Sequence, residues 1–66
     1  MTKRIYSFSD KKSFEGFLAT FKECFKDEIK LDYIQVRTEE KYLEKAELTV
    51  YYIIVTQKEV TRYEIR

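Results

Sequence analysis

Histidine, proline and tryptophan are absent from this 66-residue chain, and glycine and cysteine occur once each. Each absence removes a class of chemistry. Without histidine, the Ser-His and Cys-His nucleophile pairs cannot be built, and the usual zinc ligand sets are missing. One glycine cannot make a glycine-rich phosphate loop or a dinucleotide fingerprint. One cysteine, Cys24, cannot close a disulfide within the chain. An excess of one charge is also lacking. Thirteen basic residues against twelve acidic ones leave +1, too little to hold nucleic acid or a membrane by bulk charge. No apolar run reaches the length of a membrane span. The basic start, Met1 to Arg4, is followed by a mixed segment rather than a signal-peptide core. These features lead us to expect a cytoplasmic protein without cofactor, metal or membrane partner, and not an enzyme.

A single short domain, residues 1–66, must then be stabilised by other means. At this size burial gains and an ordering cost of roughly 1.5 kcal/mol per residue nearly cancel, so small domains rely on disulfides, metals, oligomerisation or a very efficient core. With the first two unavailable, oligomerisation gains weight.

What the chain does have is aromatic residues, five Phe and six Tyr, within a 44% hydrophobic composition. Residues 46–56, rich in β-branched and aromatic side chains, read as the central strand. Residues 3–8, 31–38 and 60–65 alternate in the manner of strands. Between the first two lies one amphipathic helix. Phe14, Phe17, Leu18, Phe21, Cys24, Phe25 and Ile29 recur at spacings of three and four. Ser9 or Asp10 offers its N-cap, and its end falls near Lys26 to Glu28. Gly16 suits either close packing on a strand or a tolerated surface position. Residues 39–45 read as a hairpin connection, with a short helical turn as the alternative. The expected fold is therefore α+β: a two-layer sandwich of order β-α-β-β-β, with a mainly antiparallel four-stranded sheet and the helix on one face.

Cys24 reads as a core residue of the helix stripe. Asp27, Glu28 and Asp32 form an acidic cluster that reads as a solvated helix end rather than a cation site. The central strand poses the functional question, because both of its faces are apolar. Leu48, Val50, Tyr52 and Ile54 form a continuously apolar set, expected to meet the helix together with Ile34 and Val36. The opposite face would then carry Tyr33, Arg37, Tyr51, Ile53 and Val55, with Arg62 from the fourth strand. Tyrosine, arginine and aliphatic side chains compose recognition surfaces. These six residues are the candidate binding site.

The expected function is a small protein-binding module of regulator or inhibitor type. It would act on a protein partner of unknown identity and self-associate, as a homodimer, through the helix-free face. The alternative is a single-stranded nucleic-acid binder that stacks bases on sheet tyrosines and holds phosphates with arginines. The residue bias, rich in Lys, Glu, Ile, Tyr and Phe, suits an AT-rich bacterial or phage genome.

Overall fold

The computed structural model describes residues 2–58. They form an α+β unit with β1 at Thr2–Phe8, α1 at Lys11–Cys24, α2 at Lys26–Lys30, β2 at Ile34–Leu43 and β3 at Leu48–Gln57. The three strands make one antiparallel sheet in the order β1-β3-β2. The central strand of the sheet is thus the last strand of the described chain, inserted between its two predecessors. The expected β-α-β-β-β order with one helix is replaced by β-α-α-β-β. The expected fourth strand, 60–65, lies outside the described residues.

Asp10 starts α1 as an N-cap in extended conformation. Its Oδ2 accepts from the Ser13 backbone N–H at 2.9 Å and from Ser13 Oγ at 2.8 Å. These two bonds hold the Asp10 carboxyl below its ordinary pKa of 3.8, since both favour the ionised form. The helix breaks at Phe25, whose φ of −115° and ψ of 28° interrupt the α geometry. The Phe25 amide still bonds to Phe21 O, and the Ile29 amide bonds to Phe25 O. One helix has become two, with α2 turned onto β2.

Helical phase explains where Cys24 sits. At about 100° per residue, Cys24 lies about 80° round the helix from Phe14, while Phe25 lies only about 20° from it. Phe25 therefore continues the apolar stripe, and Cys24 is exposed, not part of the core as expected. Gly16 is settled in the same way. A Cβ built there meets nothing within 4 Å, so it is a surface glycine and not a packing contact.

Under α1 the core is an aromatic ladder on an aliphatic floor. Phe14, Ile34, Ile53 and Val55 are buried together, with Tyr6, Phe8, Phe17, Leu18, Phe21, Ile29, Val36 and Tyr51 packed around them. Phe14 stacks on Tyr51 with centroids 5.1 Å apart and an interplanar angle of 25°. Tyr6 and Phe8 of β1 meet Phe17 at 4.9 and 5.3 Å. Phe21 passes the contact on to Phe25 at 4.7 Å. Pairs of this kind add about 0.5–1.5 kcal/mol each beyond their area.

The connection between the hairpin strands is a tip with lengthened strands, the first of the two forms expected for this segment. Leu43 faces Leu48, and Glu44, Lys45, Ala46 and Glu47 make the turn. Glu47 takes a left-handed φ of 54°, and its amide bonds to Glu44 O at 3.2 Å. At its other end the sheet is fastened by Asp32, also left-handed at φ 65°. Its carboxylate accepts from Gln35 Nε2 at 3.1 Å and from Lys58 Nζ at 2.7 Å. The Lys58 amide bonds to Tyr33 O at 2.9 Å. Asp32 thus ties the α2–β2 turn to the end of β3, and Lys58 with Gln35 holds its carboxyl below 3.8.

Candidate interaction surface

Register decides which side chains share a face. Val36 stands opposite Val55, Thr38 opposite Ile53, and Tyr6 opposite Ile53 on the other flank. Even positions of β1 and β2 therefore lie with odd positions of β3. The helix side is Tyr6, Phe8, Ile34, Val36, Tyr51, Ile53 and Val55. The helix-free side carries Leu48, Val50, Tyr52, Ile54 and Thr56 of β3. Lys3, Ile5 and Ser7 flank them on β1, and Gln35, Arg37, Glu39, Lys41 and Leu43 on β2.

This reverses the expected assignment of the two faces. Tyr51, Ile53 and Val55 belong to the core, and Ile53 is fully buried at 0% exposure. The cause is the turn. Four turn residues between Leu43 and Leu48 pair an even position with an odd one along the whole hairpin. The expected faces needed even paired with even. The polar neighbours of the 51/53/55 set, Glu47, Thr49 and Gln57, lie at the strand ends. α1 has to cover only the middle.

Of the candidate site residues, Arg37 alone lies on the helix-free face, opposite Ile54. Tyr33 is exposed in the turn before β2, where its backbone bonds to Glu28 and Lys58. Arg62 lies outside the described residues. The structure does not bring the five described residues of this set together. It gathers instead a stripe down the central strand, Leu48-Val50-Tyr52-Ile54, which composition alone had sent to the helix. Hairpin turn length would have placed it correctly.

The stripe is not uniformly open. Ile54, between its register partners Ile5 and Arg37, is 7% exposed, whereas Ile5 itself is 59% exposed and Leu48 38%. Lys3, Gln35, Arg37, Ile54 and Thr56 border a shallow depression of about 350 Å³ at one end of the face. At the other end the hairpin projects as an arm. β1 stops at Phe8, opposite Tyr51, so the arm residues Lys41–Leu43 and Leu48–Val50 pair only with each other. Charges line the β2 flank in the order Arg37, Glu39, Lys41, where they also discourage stray pairing of an edge strand.

No group of three or more Cys, Asp or Glu side chains among the described residues is placed to hold a metal ion. Asp32, from the acidic cluster, is committed to Lys58 and Gln35. Among the described residues, no helix is long and apolar enough to cross a membrane. No family model, no curated protein and no solved structure matches this chain.

Proposed function

We propose that this chain is a small non-enzymatic protein-binding module of regulator or inhibitor type, and that its contact surface is the helix-free face of the sheet. One observation carries the reading. The central strand carries an apolar stripe, Leu48-Val50-Tyr52-Ile54, on the face that neither helix covers, exposed at Leu48, half-buried at Val50 and Tyr52 and buried at Ile54, next to the exposed Ile5. Apolar centres with charged rims are how protein contacts are built. The rim here is Lys3, Arg37, Glu39 and Lys41. The absence of histidine and the commitment of Asp10 and Asp32 to structural bonds speak for binding rather than catalysis.

Lys3, Arg37 and Lys41 around Tyr52 also resemble the makings of a single-strand nucleic-acid platform. With Tyr51 stacked on Phe14, however, one ring among the described residues, Tyr52, remains on this face for base stacking. Protein contact is therefore the better-supported reading. Affinity capture from the source organism tests it, with wild type and an Ile5→Glu/Leu48→Glu variant as baits. Both positions are exposed, so circular dichroism should show an unchanged fold. A partner held by wild type and lost by the variant supports the face. A partner held equally by both moves the site elsewhere. Salt-sensitive binding of an oligonucleotide, lost in Arg37→Ala, would favour the second reading.

A further inference from the structure

We infer that the occupant of this face is a second copy of the same chain, docked sheet to sheet with its central strand running antiparallel and a two-fold axis level with Tyr51. This rests on the reading of the helix-free face as the contact surface, and it names the partner. Two features of the face select the arrangement.

The first is the apolar stripe. A two-fold axis across the strands at the level of Tyr51 sets Tyr52 over Val50 and Ile54 over Leu48 of the other copy, and the reverse. All four stripe residues are then covered by stripe residues. The second is charge. The same operation keeps β2 over β2. The row of Tyr52 carries Glu39 on β2, and the row of Val50 carries Lys41. Glu39 of each copy therefore meets Lys41 of the other, twice over. An axis level with Tyr52 would set Glu39 on Glu39, and one level with Val50 would set Lys41 on Lys41. An axis along the strands would place β2 over β1 and leave both charges without partners. Only complementary juxtapositions fix the register of an interface, whatever they add to affinity.

Shape agrees at the ends. The antiparallel register carries the hairpin turn of one copy, with Glu44 and Glu47, to the depression bordered by Lys3 and Arg37 of the other. The area sets the strength. Because β1 spans only the rows of Tyr51 to Gln57, this axis carries it past the β1 of the other copy, and the overlap is β2 over β2 and β3 over β3. Two strands about 4.8 Å apart at about 3.3 Å per residue give roughly 300 Å² per copy. Together the copies bury about 600 Å², well below the usual 1,200–2,000 Å² of stable complexes. The dimer is thus a weak, transient one, with a dissociation constant expected at hundreds of micromolar to millimolar.

Charge reversal tests it by sedimentation equilibrium in reducing buffer, with Cys24→Ser in every chain so that the exposed thiol cannot link copies. Glu39→Lys alone and Lys41→Glu alone each create two like-charge contacts, and each should weaken self-association roughly tenfold. Mixing the two variants should restore it, because in the mixed dimer every lysine at these two positions meets a glutamate of the other copy. The double variant Glu39→Lys/Lys41→Glu should also dimerise like wild type. A wild type that stays monomeric at several millimolar overturns the inference. So does a dimer whose variants fail to rescue each other on mixing. Capture of another protein through Ile5 and Leu48 would survive either outcome, so failure here is separable from failure of the contact face itself.

Discussion

Adjacent Ile53 and Ile54 point to opposite faces of the sheet, and their surroundings differ accordingly. Ile53 has no exposed surface and lies among Phe14, Ile34 and Val55. A glutamate there would bury a carboxylate without a partner, at several kcal/mol, against a total of ~5 kcal/mol for a domain this small. Ile53→Glu is therefore expected to unfold the chain. Ile54 is 7% exposed on the helix-free face, and a glutamate there has the Arg37 cation across the strand as a partner. Ile54→Glu should remain folded at a cost of ~1–2 kcal/mol. Urea titration followed by circular dichroism checks both, and the opposite ranking would refute the observed faces. Gly16→Ala should raise stability by up to ~1 kcal/mol, since the helix gains propensity and the methyl meets no neighbour. Asp32 combines a left-handed backbone with a carboxylate latch to Lys58 and Gln35. Asparagine tolerates that backbone and alanine does not, so Asp32→Ala should lower the melting temperature more than Asp32→Asn. The latch holds the folded carboxyl below its ordinary 3.8. Its stabilisation is present above that value and fades as pH falls through the lower folded one. The gap between wild type and Asp32→Asn should therefore narrow as pH falls below about 5 and close once the pH is below the lowered folded value.

At the scale of elements, the hairpin arm carries local strain at its tip. Glu47 holds φ at 54°, a conformation that glycine and asparagine adopt more readily than glutamate. Glu47→Gly is expected to stabilise the domain by a few tenths to ~1 kcal/mol, measured as a higher urea midpoint. If it destabilises instead, the glutamate side chain contributes more than its backbone costs. The elements also show how much of the fold the sequence makes legible. α1 announces itself through Phe14, Phe17, Leu18 and Phe21 and through the Asp10 cap, because helical period and capping are local properties. The strands appear for the same reason, although β2 starts at Ile34 and not at Leu31. What stays hidden is set by pairs distant in the chain or by backbone detail. The break at Phe25 has no glycine or proline to mark it. The face of β3 depends on whether Glu44–Glu47 counts as an even or an odd turn, and no Asn-Gly pair declares the register. A shift of one residue inverts every assignment along the strand. Tyr51 and Val55 thus read as the open face and proved to be core, while Tyr52 and Ile54 read as the helix side and lie on the open face.

For the molecule as a whole, the described core is small. Five hydrophobic residues are buried and only Ile53 completely so, so stability leans on whatever covers the second face. If copies dock there, the melting temperature should rise with concentration between about 0.05 and 5 mM, because binding adds to the folded state alone. A melting temperature that stays flat over that range would assign all the stability to the single chain. The strand order has a separate consequence. β3 is the only strand among the described residues that touches both of the others, and it follows them in the chain. β1 leaves the ribosome early with no strand to pair with, and β2 is in the same position until the hairpin closes. Pairing β1 with β3 also joins segments from nearly opposite ends of the described chain, a contact of high sequence separation and slow closure. During synthesis α1 can form its local turns, but its apolar stripe has no complete sheet to rest on until Val55 and Gln57 have emerged. Folding is thus deferred until the whole of β3 has left the exit tunnel. Until then the nascent chain shows Phe14, Phe17 and Phe21 to whatever chaperone waits at the exit.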